Sequence, residues 1–190
     1  MSVPVRRGQW WYYTRSVEGQ QYGIHCRAPL GSPDDWDPPA LSPGSEVPGE
    51  QVLLDANREA EGHEFFALGS FEVSTDTTRL LYAVDTVGDE RYTIRVRDLE
   101  SGELLPDEIP DTFAGATFSP DGRHIVYTTV DEAWRPDTVW LHEVGTAASA
   151  DRTLFHEPDD RYWVGAGFTR SDRYLVIELG SSITSEEWLM

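Results

Sequence analysis

Three segments of the chain align without a gap: Val73-Ser74-Thr75-Asp76-Thr77-Thr78-Arg79-Leu80-Leu81-Tyr82, Phe118-Ser119-Pro120-Asp121-Gly122-Arg123-His124-Ile125-Val126-Tyr127, and Phe168-Thr169-Arg170-Ser171-Asp172-Arg173-Tyr174-Leu175-Val176-Ile177. They recur at spacings of 45 and 50 residues. A period of that length marks a supersecondary unit that buries its apolar face only by stacking on its neighbours. Each copy reads as the end of one strand, a polar turn and a second strand. In the middle copy Pro120 presets φ, Asp121 supplies a side-chain acceptor and Gly122 tolerates positive φ, which a tight hairpin requires.

The flanking sequence extends the pattern. Short runs rich in β-branched and aromatic residues, bounded by Gly, Pro, Asp or Ser, place first strands at residues 67–73 and 115–118, third strands at 93–98 and 139–144, and fourth strands at 103–109 and 153–156. Four antiparallel strands in ~40–50 residues is the pattern of a β-propeller blade. Complete blades are expected at about 66–110 and 113–158, and a further unit at 164–190 reaches its third strand. Ahead of them, residues 9–14, 21–27 and 51–55 read as the last three strands of a unit spanning 1–65. The fold class is all-β: a partial β-propeller of about four four-stranded antiparallel units, the first and last incomplete. Residues 56–64 are too short and too charged for more than a turn of helix. Residues 28–50 are rich in Pro, Gly, Ser and Asp and form an exposed insertion within the first unit.

Charge limits the partners. The chain has 34 Asp and Glu against 15 basic residues, all arginine, for a net charge of −19. Such a surface repels nucleic-acid backbones and anionic membranes, so neither is an expected partner and cationic ligands are the natural complement. The single cysteine, Cys26, can form neither an internal disulfide nor a thiolate metal site, which points to a reducing compartment. With no signal-like segment after Arg6 and Arg7 and no run of 18 apolar residues, the chain is expected in the cytoplasm.

Catalytic motifs are missing. A hydrolase nucleophile on a strained turn needs Gly-x-Ser-x-Gly, and Gly69-Ser70 and Gly180-Ser181-Ser182 both lack the second glycine. His25, His63, His124, His142 and His156 show no local ligand spacing, and no phosphate loop occurs, so neither a metal nor a cofactor is expected. Asp85, Asp89 and Glu90, Asp131 and Glu132, and Glu157-Pro158-Asp159-Asp160 read as solvated loops, without a pair that stands out for glycoside hydrolysis. Tyr82, Tyr127, Trp140 and Trp163 recur at similar blade positions and are expected to pack between blades. Asp131, Glu132 and Arg135 are the candidates for a loop facing a substrate channel or a neighbouring domain.

Several segments carry a family resemblance: Trp11-Tyr12-Tyr13-Thr14-Arg15, Tyr22-Gly23-Ile24-His25-Cys26-Arg27, Leu53-Leu54-Asp55-Ala56-Asn57, Gly88-Asp89-Glu90-Arg91-Tyr92, Arg97-Asp98-Leu99-Glu100-Ser101-Gly102-Glu103 and Arg135-Pro136-Asp137-Thr138-Val139-Trp140. Over nearly its whole length the chain resembles the propeller of oligopeptidase B, in the prolyl oligopeptidase family of serine peptidases. Leu-Leu-Asp-x-Asn and Gly-Asp-Glu-x-Tyr are the most specific matches. The resemblance implies a cytoplasmic endopeptidase that cleaves short peptides after Arg or Lys, with a seven-bladed propeller gating access to a C-terminal α/β-hydrolase domain. That domain carries the triad and is absent from this sequence, so no catalytic residue is assigned and no catalysis is expected from the chain alone. An incomplete ring is expected to self-associate through uncovered blade faces. The alternatives are a stand-alone interaction module of the WD-repeat type and a propeller glycosidase.

Overall fold

The structure, a computed structural model, describes residues 2–42 and 47–190, so residues 43–46 of the Pro-rich insertion lie outside the described residues. The chain divides into two compact units, Met1–Glu64 and Phe65–Met190. Among the described residues, apart from one turn of α-helix and a 3₁₀ turn, the regular structure is antiparallel β, as the repeat predicts. Among the described residues no helix is long and apolar enough to cross a membrane.

In the first unit, β1 (Val5–Arg7), β2 (Trp10–Arg15), β3 (Ile24–Pro29) and β4 (Gln51–Asp55) pair in chain order as one sheet. The three predicted strands are present, and β1 joins them by pairing Val5 with Tyr12 and Arg7 with Trp10. Tyr13, Ile24, Cys26 and Ala28 form the buried core on one face. The helix α1 (Ala56–Glu59) starts where Asp55 Oδ1 accepts from the Asn57 N–H at 3.0 Å, a side-chain N-cap. The insertion is less loose than its composition suggests. Its Leu41 and Val47 pack on the core. The Arg6 guanidinium lies 4.1 Å over the Trp36 ring and donates to the Asp35 and Pro33 carbonyls.

The second unit holds three successive sheets. The first contains β5 (Ala67–Val73), β6 (Arg79–Asp85), β7 (Tyr92–Asp98) and β8 (Leu104–Thr112). The next contains β9 (Thr117–Phe118), β10 (His124–Val130), β11 (Pro136–Glu143) and β12 (Arg152–His156). β13 (Trp163–Phe168), β14 (Leu175–Gly180) and β15 (Ser185–Leu189) make the third. The first two touch edge to edge at one residue pair, Thr112 opposite Thr129, which leaves them two blades rather than one continuous sheet.

The hairpin between first and second strands shows why the repeat sequence recurs. Ser74 Oγ donates to Asp76 Oδ1 at 2.6 Å and accepts from the Arg79 N–H. Ser119 does the same between Asp121 and His124. Thr77, Gly122 and Asp172 occupy the same turn position and all have positive φ, at 64°, 68° and 56°. Only the middle copy places glycine there, where positive φ carries no Cβ penalty.

Stacking then buries both faces of the second strand β10, and β6 is buried on both faces as well, whereas Glu178 and Gly180 leave one face of β14 exposed. Ile125 and Tyr127 of β10 join Leu81, Ala83, Ile94, Val96, Ile109 and Phe118 in one inter-sheet core. Val126, one residue out of phase, joins Val139, Val164, Leu175, Ile177 and Leu179 in the next. This explains why these strands read as continuous apolar runs without alternation. Each such fully buried aliphatic side chain contributes ~1.5–3 kcal/mol of transfer free energy.

Tyr82 and Tyr127 are buried as expected, and Tyr127 stacks on Trp140 at 6.4 Å between ring centroids. Trp163 departs from the expectation and is 54% exposed. Its cross-strand partner is Gly180, which has no side chain to cover the ring.

Candidate functional site

The first strands β5, β9 and β13 carry the main variation between repeats. On β5, the Ser70 hydroxyl accepts from the N–H groups of Gly115 and Ala116, both at 3.0 Å, and Glu72 Oε2 accepts from the Phe118 N–H at 3.1 Å. Two side chains of one blade thereby satisfy the outward edge of the next blade's first strand, whose N–H groups would otherwise lack partners. The repeat carries Ser70 to Gly115 and then Gly165, and Glu72 to Thr117 and then Gly167. At the following step Gly115 has no side chain to act as Ser70 does, and the Thr117 hydroxyl, in the place of Glu72, donates to the Phe118 carbonyl of its own strand at 3.4 Å. A cleft of about 430 Å³ lies there, between residues 113–115 and β13, with Tyr127, Thr128 and Glu178 on its walls. A second hollow of about 390 Å³ shares Phe113, Val164, Gly165 and Glu178 with it and reaches Trp163 and Glu186. Composition did not reveal this site, although the aligned repeat holds the signal: a Ser/Glu pair that becomes Gly/Thr and then Gly/Gly.

The predicted loop after β10 is a tight knot. Asp131 accepts from the Ala133 and Arg135 N–H groups and from Arg135 Nε at 2.9 Å. The backbone and guanidinium of Arg135 hold its carboxyl below the usual range. Arg135 itself is buried, and its Nη1 donates to the carbonyls of Glu157, Asp159 and Tyr162, which ties down the connection to the third sheet. Glu132 is exposed on the same loop. Asp85 organises its own loop in a comparable way. It is 1% exposed rather than solvated, and it accepts from the N–H groups of Val87, Gly88 and Glu90.

A buried charged cluster joins the first two sheets of the second unit. His142 Nε2 lies 2.9 Å from Asp107 Oδ1 on β8, and its Nδ1 lies 2.6 Å from Asp151 Oδ1. Asp151 also accepts from the Tyr127 hydroxyl at 2.8 Å, and Asp107 accepts from the Gly145 N–H. Burial pushes the imidazole toward neutrality, but the hydrogen bonds and charges of Asp107 and Asp151 outweigh it and raise its pKa above the ordinary value. Asp107 is desolvated too, and the donors facing it nevertheless hold its carboxyl below the usual range. With His142 fully buried, this Asp–His–Asp arrangement is a staple between blades rather than a general base open to substrate.

The serines set aside in the sequence are also occupied. Ser70 holds the neighbouring strand, and Ser181 bonds to Thr184 within its own turn. Among the described residues, no three His, Cys, Asp or Glu side chains converge as a metal-binding group. Cys26 is buried, and desolvation raises its thiol pKa to about 11.

Stacked antiparallel sheets of three and four strands, interlocked by buried polar staples and with a cleft among their first strands, define a segment of a β-propeller. The family model described as the N-terminal β-propeller domain of prolyl oligopeptidase matches residues 1–190, and the chain belongs to that family. It is similar to dipeptidyl aminopeptidase BI of Pseudoxanthomonas mexicana, with 39% identity over 97% of this chain and 26% of the relative, and to protease 2 of Moraxella lacunata, with 34% identity over 98% and 26%. Among solved structures it resembles oligopeptidase B from Leishmania major, with a TM-score of 0.89, 28% identity and coverage of 100% of this chain and 25% of that one. Oligopeptidase B from Trypanosoma brucei, with covalently bound antipain, matches at a TM-score of 0.86 and 32% identity. The chain spans about a quarter of the length of the curated relatives it matches.

Proposed function

We propose that this chain is the propeller portion of an oligopeptidase B-like serine endopeptidase that cleaves short peptides after Arg or Lys in the cytoplasm. The observation that carries this reading is the fit of the whole chain, at a TM-score of 0.89, onto a quarter of an oligopeptidase B. In this reading the missing partner is a C-terminal α/β-hydrolase domain that supplies nucleophile, base and oxyanion hole. The propeller screens substrates by size, and the loop at Asp131, Glu132 and Arg135 faces that domain. Arg135 holds the loop's shape and leaves Glu132 outward.

The net charge of −19 supports the preference for cationic peptides, because a negative field around an entrance raises their capture rate in a salt-dependent way. Exposed Ile183, Trp188 and Leu189 on the last sheet support self-association of the isolated chain. The reading is tested by adding an arginyl amide substrate to the pure 190-residue chain and to the polypeptide extended by a hydrolase domain. Turnover by the extended form alone, blocked by a serine-directed inhibitor, is the expected result. Inhibitor-sensitive turnover by the short chain would overturn it.

A further inference from the structure

We propose that the outward edge of β13 is a docking strand for an extended peptide carrying an arginine or lysine, which adds to the third sheet through main-chain hydrogen bonds. The Thr169 N–H donates to the Tyr174 carbonyl at 2.9 Å, so Thr169 and Tyr174 form a hydrogen-bonded pair. Antiparallel register alternates, which turns Gly165 and Gly167 toward β14 and directs the N–H and C=O groups of Val164, Ala166 and Phe168 away from it, to the cleft side. In the preceding repeat the matching groups of Ala116 and Phe118 are taken by Ser70 and Glu72. Here those side chains are replaced by Gly115 and Thr117, and the edge is left for an outside partner.

Space and charge define that partner. Gly165 and Gly167 place no side chain of β13 itself beside its backbone. The cleft of about 430 Å³ falls in the range of about 300–1,000 Å³ usual for ligand sites. An edge that offers donors and acceptors alternately matches an extended backbone rather than an isolated anion. Glu178, directly opposite Gly165, supplies negative charge, and no Arg or Lys lines the cleft, so the preferred side chain on the incoming strand is cationic. Peptide addition here involves no bond cleavage. Because binding is read without turnover, its failure would leave the peptidase reading standing, and the converse also holds.

The test uses the 190-residue chain with a fluorescent extended hexapeptide containing one arginine, followed by anisotropy and by amide exchange in NMR. Binding is expected to slow exchange at Val164, Ala166 and Phe168. N-methylation of the peptide at the alternate positions that face β13 should weaken binding about tenfold or more, while methylation at the other positions should not. Glu178→Gln should weaken the arginine peptide up to about fivefold and reduce its salt dependence, with a norleucine peptide unaffected. Thr117→Gln, which offers Phe168 a neutral acceptor where Glu72 serves Phe118, should compete with the peptide. Equal binding of both methylated peptides would overturn the proposal. So would slow exchange of the three amides before any peptide is added, which would mean that the chain itself covers the edge.

Discussion

Replacing His142 by leucine should be among the most damaging single changes in the second unit. The imidazole is fully buried between two carboxylates that belong to different segments, with Asp107 on β8 and Asp151 after the 3₁₀ turn Ala148–Ala150. Leucine fills a similar volume but leaves Asp107 and Asp151 without their shared cation. Removing one partner of a buried pair costs ~3–5 kcal/mol. For a chain of this size that is a loss of roughly 6–20 °C in Tm. The pH dependence separates the charge from simple packing. His142 has a folded pKa above the unfolded value of about 6.5, so its contribution is complete below that value and fades as pH rises through the folded pKa. Asp107 has a depressed pKa, so its contribution is present above about pH 3.9 and is lost as pH falls through the folded value. Urea unfolding followed by tryptophan fluorescence should therefore show the largest gap between native chain and His142→Leu at about pH 4–6.5, narrowing toward pH 9. A gap below 1 kcal/mol, or one constant from about pH 5.5 to 9, would refute the charged staple.

Three further changes probe the same architecture. Arg135→Lys should lose the three carbonyl bonds to residues 157, 159 and 162, cost ~2–4 kcal/mol and speed amide exchange in that connection, because an ammonium cannot reproduce the planar fork. Ser70→Ala should destabilise by ~1–3 kcal/mol by stranding the Gly115 and Ala116 N–H groups, and Ser70→Thr should recover part of that loss. Cys26, 1% exposed and with its thiol raised to about 11, should resist a thiol reagent at pH 8 in the native chain and react fully in denaturant; rapid native labelling would contradict the buried placement.

How much of this was readable in the sequence depended on whether the causes are local. The turn at Thr77, Gly122 and Asp172 is made by residues within six positions of one another, so its chemistry stood out in linear order. The strands flanking it followed from the apolar runs. β1 did not, because Val5-Arg6-Arg7 has no apolar alternation and is recruited by backbone pairing to β2. The insertion looked loose by composition because its anchor, Arg6 against Trp36, joins positions far apart in sequence. His142 was likewise opaque: its two carboxylates lie 35 and 9 residues away, and only the stacking of sheets brings them together. Trp163 resembled the packed aromatics of other blades, but the residue opposite it is a glycine. The candidate loop was readable as polar, whereas the engagement of Arg135 with three carbonyls required the fold.

In the proposed function, this propeller segment screens peptides for a catalytic hydrolase domain. The most direct measurement compares cleavage by the extended polypeptide, hydrolase domain included, of one arginine-containing sequence presented as a free octapeptide and within a folded protein. The 190-residue chain serves as the control. The account predicts rapid cleavage of the octapeptide, none of the folded protein and none of either by the control. Equal cleavage of the two substrates, or cleavage by the control, would contradict it.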